Sequence, residues 1–306
     1  MIEKEKGNIA MRLAVTTMIA TLAAGALSPA GRAGIPPQEG QEGREIGRTT
    51  EKELKVVLTS NFGTVFISRG EPEKMVLVEG GDNRDASSRI NVDYAIRNRV
   101  GYMDLELGEG EKNREGKKGG FKIEGLNAGD WNLKFTDAVP ISFDIELGVG
   151  KGNFDLSGLL VKDFNLSTGA SEVNLSFAEP NKNCIDNLNI ESGVSKFSGK
   201  NLCNANFKKF KFQGGVGAYT LDFSGALNNE VDVDVEVGMG VLTIIVPGES
   251  GARVFYDKSW ISRLECEDDF HASNDNEYIT DNYYKVAGRM NIRVDSGLGS
   301  IRIRHR

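Results

Sequence analysis

A chain of 306 residues, 39% hydrophobic and 26% charged, has the make-up of an ordinary globular protein, long enough for one large all-β unit or two small ones. Its formal net charge of -7 argues against a nucleic-acid partner, because a phosphate backbone calls for clustered Lys and Arg. The 37 glycines ask for a backbone with many tight corners.

Residues 1–33 read as a signal peptide. Lys4, Lys6 and Arg12 precede the apolar run Leu13 to Leu27, Ser28-Pro29 breaks it, and small residues follow at Gly31 and Ala33. Cleavage is expected after Ala33, with Ala26 as the other candidate, and either Met1 or Met11 serves as the start. A retained anchor is the competing reading, and the run is short for one. No Cys follows the run to take a lipid, and no later stretch is apolar enough to span a bilayer. The mature protein is therefore expected to be soluble, in the periplasm or outside the cell. Residues 34–50, with Pro36-Pro37 and Gly40, Gly43 and Gly47 among charges, read as a flexible linker.

Residues 51–306 read as a single β domain. In 51–136 the pattern is weak. Val56-Val57-Leu58 leads to Asn61-Phe62-Gly63, a corner with Asn in a slot suited to positive φ, and Asn98-Arg99-Val100-Gly101 looks like a second copy with Arg99 in that slot. Residues 109–120 are nearly all Gly, Lys, Glu, Arg and Asn. They read as an exposed mobile loop, since they lack the Gly-Lys-Ser or Gly-Lys-Thr ending of a phosphate-cradling loop.

Residues 137–248 are regular. A marker glycine recurs at 148, 169, 193, 215 and 238, in steps of 21, 24, 22 and 23 residues, a spacing that signals stacked repeats. Alternating segments flank each one, such as Phe143-x-Ile145-x-Leu147 before and Leu242-x-Ile244-x-Val246 after. The marker is expected at positive φ, with Gly or Ser two positions on. The apolar residue between (Val149, Ala170, Val194, Val216 or Met239) is expected to turn inward. Each repeat of about 22 residues thus makes two short strands joined at a corner, and none can stand alone, because its buried area is too small to offset the entropy of ordering it. Residues 249–306 hold a capping excursion and a last rung, whose corner is Ser296-Gly297-Leu298-Gly299-Ser300. Arg302, Arg304 and Arg306 have the spacing of that strand's wet face.

Candidate chemistry is sparse. Only His271 and His305 are available for zinc or triad chemistry. His271 follows Glu265-Cys266-Glu267-Asp268-Asp269, read as an exposed acidic loop rather than a metal site. Cys184 and Cys203 fall near the corner opposite the glycines on successive rungs, so a bridge between them is open, and Cys266 reads as buried and inert. Asp232, Asp234 and Glu236, with Asp144 and Glu146, are either a solvated strand face or a carboxylate ladder for calcium or glycan chemistry. Trp131, Trp260, Phe270, Tyr278, Tyr283 and Tyr284 are either cap packing or a sugar-stacking patch. No catalytic, cofactor or metal residue is assigned.

The run Trp131-Asn132-Leu133-Lys134-Phe135, then Val139-Pro140-Ile141, Ile145-Glu146-Leu147-Gly148-Val149-Gly150 and Asp155-Leu156-Ser157-Gly158-Leu159, resembles the toast-rack domains of bacterial envelope proteins, relatives of LiaF-like stress proteins and adhesin head domains. The segment Tyr278 to Tyr284 and the Ser296 to Ile301 corner are similar too. The likeness runs from about Leu54 to Arg306. It implies a β-solenoid or stacked-sheet scaffold with no established catalytic residues. LiaF-like proteins carry membrane helices before this domain, where this chain has a signal-peptide pattern. The expectation is an all-β solenoid of stacked two-strand rungs, a non-enzymatic adhesin-like or scaffold module facing an envelope protein or cell-surface polymer. The alternatives are a carbohydrate-active β-helix enzyme and a cell-envelope stress component.

Overall fold

The computed structural model describes residues 43–80, 90–108, 129–256 and 262–306. The signal-peptide segment 1–33, linker residues 34–42, the loop 109–120 and Trp260 lie outside the described residues. In chain order the strands are β1 (Gly43–Gly47), β2 (Glu53–Arg69), β3 (Lys74–Gly80), β4 (Ile90–Arg97), β5 (Val100–Leu107), β6 (Asp130–Phe135), β7 (Ile141–Asp155) and β8 (Val161–Ser176). Then follow β9 (Ile185–Lys200), a short 3-10 helix (Leu202–Ala205), β10 (Phe207–Asp222), β11 (Glu230–Val246), β12 (Gly251–Tyr256), β13 (Ser262–Cys266), β14 (Phe270–Asn274), β15 (Glu277–Thr280) and β16 (Arg289–His305).

The chain is an all-β stack. Strands β2, β7, β8, β9, β10, β11 and β16 lie side by side, each parallel to the next. Phe143 sits beside Phe164, Phe164 beside Leu188, Leu188 beside Phe210, Phe210 beside Val233 and Val233 beside Ile292. Each rung is one long strand that runs through its glycine corner rather than two strands meeting there, because the ladder to both neighbours resumes on either side of the bend.

Side-chain phase changes at that bend. Ile141, Phe143, Ile145 and Leu147 are buried before it, and Gly152 and Phe154 after it, so odd positions point inward on one half and even positions on the other. Both halves thereby close on one core. The apex falls on the convex side, which corrects the expectation that its apolar residue turns inward: Val149, Val194, Val216 and Met239 are 50%, 65%, 47% and 46% exposed. The inward residue is the one before the marker, as at Leu147, Thr168, Ser192, Val237 and Ser296.

Positive φ is not what the marker glycines supply. It occurs two positions later, at Gly63, Gly150, Gly240 and Gly299. The markers instead permit close stacking. A Cβ on Gly169 would lie 2.6 Å from the carbonyl oxygen of Gly148, and one on Gly193 would lie 2.8 Å from that of Gly169.

Aromatic rings fill the interior edge-on, with centroids 5.2 Å apart for Phe135 and Phe143 and 5.2 Å for Phe210 and Phe223. At the corner opposite the glycines, buried amides satisfy turn carbonyls. Asn181 Nδ2 donates to Val161 O and Ala205 O at 2.7 and 3.1 Å, and Asn204 Nδ2 to Phe177 O at 2.9 Å.

The two ends are built alike. β2 is covered on its outer side by β5 along its first half and β6 along its second, and β16 is covered in the same way by β12 and β13. Antiparallel partners then flank these half-rungs: β4 on β5, β3 and β1 beyond β6, and β15 and β14 beyond β12. Two expectations are corrected here. Residues 43–47, read as linker, form β1 on the edge of β3. Asn98-Arg99 is the two-residue turn of the β4–β5 hairpin rather than a rung corner, with φ of 52° and 63° at the two positions.

Candidate functional site

The parallel register puts outward side chains of the rungs' first halves in straight columns. One column is Val57, Asp144, Asn165, Asn189, Lys211, Asp234 and Arg293, and its neighbour is Thr59, Glu146, Ser167, Glu191, Gln213, Glu236 and Asp295. Steps along a column are about 4.8 Å. A trough of about 340 Å3 crosses both, lined by Asn165, Ser167, Asn189, Glu191, Lys211 and Gln213 among others.

The acidic residues singled out in the sequence lie on this face without forming a ladder. Asp144 and Asp234 share a column, with Asn165, Asn189 and Lys211 between them. Each carboxylate of β11 is held by a neighbour. Asp234 pairs with Lys209 at 2.8 Å, Asp232 accepts from Asn291 Nδ2 at 3.3 Å, and Glu236 accepts from Gln213 Nε2 at 2.7 Å. In the column centre Asn189 Nδ2 donates to Asn165 Oδ1 at 2.9 Å.

A family model described as the N-terminal domain of toast_rack, DUF2154, matches residues 36–200 and 181–245. The chain belongs to this family. Among solved structures, the toast-rack chain is similar to a "putative cell adhesion protein" from Clostridium sporogenes ATCC 15579, at 19% identity and a TM-score of 0.44, over 87% of this chain and 98% of that one. It is also similar to a "putative adhesin" from Bacteroides fragilis NCTC 9343, at 14% identity and a TM-score of 0.35, over 88% and 100% of the two chains. Likeness at that level carries no statement about function. No curated protein matches the chain significantly.

The other sequence candidates of the toast-rack chain are taken up by structure. Cys184 and Cys203 are free thiols, one exposed and one buried, so the bridge left open by the sequence is not made. Cys203 lies in the 3-10 helix, where burial pushes its thiol up to about 12, and burial does the same to Cys266. The acidic segment before His271 clamps the C-terminal strand: Glu265 pairs with Arg302 at 3.3 Å, Glu267 accepts from the His305 backbone N–H at 2.9 Å, and Asp269 meets His305 Nδ1. His271 itself pairs with Asp281 at 3.0 Å. Trp131 and Phe270 are core, and Tyr283 is buried with its hydroxyl donating to Asn291 Oδ1 at 2.7 Å, leaving Tyr284 exposed.

Sequence reasoning missed a basic cleft of about 440 Å3, lined by Arg48, Thr49, Thr50, Glu51, Lys52 and Arg99 together with Ala138 and Val139. In the sequence Arg48 falls in the linker-like stretch 34–50 and Arg99 in the corner-like Asn98-Arg99-Val100-Gly101. The alternation of Ile90, Val92 and Tyr94 before Asn98 was the available sign of a hairpin.

Proposed function

We propose that this toast-rack chain is a non-enzymatic, exported interaction module that presents its columnar face to an extended envelope polymer or an envelope protein. The observation that carries the reading is the register. From β7 to β16 both columns carry a polar or charged side chain on every rung, so an extended ligand with its own repeat meets a hydrogen-bonding group at each step. Export rests on the basic residues and apolar run of the first 33 residues. The pairing of the β11 carboxylates with Lys209, Asn291 and Gln213 supports a binding role over hydrolysis, because it leaves each of them bonded to a neighbouring side chain.

Co-sedimentation of the purified protein with isolated cell-wall polymer tests this. Binding should be saturable and should be lost in the double variant Asn165→Lys, Asn189→Lys, whose like charges stand on adjacent rungs. Equal binding by a normally melting double variant would remove the face from the mechanism. Cleavage of an acidic glycan, abolished by Asp232→Asn or Asp234→Asn, would replace the module with an enzyme. Recovery of a membrane protein by a photo-cross-linker at position 189 would favour envelope-stress signalling.

A further inference from the structure

We propose that the basic cleft at the start of β2 is an oxyanion site that takes a phosphoryl group carried on a small alcohol or on a polyol-phosphate polymer. It is independent of the columnar face.

Among the described residues many basic side chains are paired with carboxylates, as Lys74 is with Glu45 and Glu71, Lys134 with Glu79, Lys162 with Glu53 and Lys208 with Asp186. Arg48, Lys52 and Arg99 differ: among the described residues none of the three is paired with a carboxylate, and all three line one cleft. On a chain of net charge -7, three cations in one cleft with no paired carboxylate among the described residues make a local reversal of sign. The single acid in the lining is buried and hydrogen-bonded through both of its oxygens. Glu51 is 3% exposed, and its Oε1 accepts from Tyr94 Oη at 2.5 Å while its Oε2 accepts from Thr49 N and Oγ1 at 2.7 and 3.1 Å.

The arginines are also partly preset. Arg48 Nε donates to Pro72 O at 2.8 Å and Arg99 Nε to Thr50 O at 3.3 Å, which fixes each fork and, among the described residues, leaves its terminal N–H groups without a partner. Arg99 achieves this from a backbone with φ of 63°, a conformation that costs a non-glycine residue energy and that Gly or Asn would adopt more readily. Two planar forks, one compact ammonium and the hydroxyl of Thr50 match the several acceptor oxygens and double charge of a phosphoryl group better than a single carboxylate. The volume of about 440 Å3 leaves room for the alcohol that bears it.

Calorimetric titration of the full chain with inorganic phosphate, glycerol 3-phosphate and poly(glycerol phosphate) over a sodium chloride series provides the test. The expected result is saturable binding that weakens with salt and whose Kd rises about tenfold or more in Arg48→Gln and in Arg99→Gln, the scale of one charge-assisted hydrogen bond. Lys52→Glu should abolish binding without moving Tm, because the Lys52 side chain is exposed and, among the described residues, is in no ion pair. A polymer that binds more tightly per site than the ester assigns the group to a polymer, whereas equal affinities assign it to a free ester. Absence of saturation by all three probes at low salt would overturn the proposal, and so would unchanged binding in a normally melting Lys52→Glu protein.

Discussion

Substituting Gly215 by Ala tests whether close stacking is what the marker glycines provide. The added Cβ would lie 2.7 Å from the carbonyl oxygen of Gly193 and 3.3 Å from its carbonyl carbon, both backbone atoms of the adjacent rung that cannot swing aside. Relief requires β9 and β10 to part at the corner. Overpacking of that kind costs about 1 to 3 kcal/mol, and weakening one flanking ladder bond adds about 1 kcal/mol. A loss of roughly 2 to 4 kcal/mol is therefore expected, read as a lower urea midpoint at unchanged slope. Gly240→Ala should cost more, since its Cβ would sit 1.9 Å from Gly217 O on a backbone with φ of 142°. Val216→Ala, at an apex residue 47% exposed, should stay within about 0.5 kcal/mol of wild type. Gly215→Asn separates the two explanations. Asn eases a positive-φ requirement but not a steric one, so it should be no better than Ala. A Gly215→Ala protein as stable as Val216→Ala, or rescue by Asn, would refute the stacking argument.

Phe212 is fully buried, with ring centroids 5.3 Å from Phe197 and 5.1 Å from Tyr219, so Phe212→Ala should destabilise by about 3 to 5 kcal/mol in the same denaturation assay; a loss under about 1 kcal/mol would mean that the rungs re-close around the void. At Glu51, burial acts to raise the carboxyl, and hydrogen bonds from Tyr94, from its own backbone and from Thr49 outweigh it, holding the group below its ordinary 4.5. A depressed carboxyl stabilises the fold above the unfolded value and loses that contribution as pH falls through the folded one. Amide exchange at residues 49–52 should therefore accelerate on acidification below about pH 4.5 in the wild type and vary less with pH in Glu51→Gln, and an identical acid slope in both would remove Glu51 as the cause. Deleting residues 289–306 takes out a strand that lies between β11 on one side and β12 with β13 on the other. Insoluble or self-associated protein is expected, because the long edge of β11 is then left open, and a monomeric, fully folded truncation by light scattering would contradict that placement.

What the sequence made legible is what repeats. Alternation such as Val231, Val233, Val235 and Val237 reports burial directly, because a strand facing a core on one side has period two, and the glycine spacing reports which residues share a column. What stayed hidden depends on neighbours distant in the chain. Asn61 occupies a marker slot although a side chain there would clash on an inner rung, and the reason is its place in the stack. β5 ends at Leu107 opposite Ser60 and β6 begins at Asp130 opposite Thr64, so among the described residues no strand crosses outside Asn61. No local pattern carries that information.

The order of the outer rungs was equally beyond local reading. A repeat pattern implies that later segments stack further out, yet the chain lays β11, moves outward to build β12 to β15, and returns to place β16 inside them. Read from the other end, β7, β6 and β5, and β2 follow the same course. In both cases the terminal long rung is held on both edges, and the exposed edges fall to short half-strands and hairpins, which offer less length for another chain to pair with. That arrangement gives the stack ends that resist adding further copies, while the sides of the rungs, where the columns and the basic cleft lie, remain open to a ligand. A solenoid that grew by simple succession would instead present one full rung, β16, as a bare edge, and its self-association would compete with any binding on its faces.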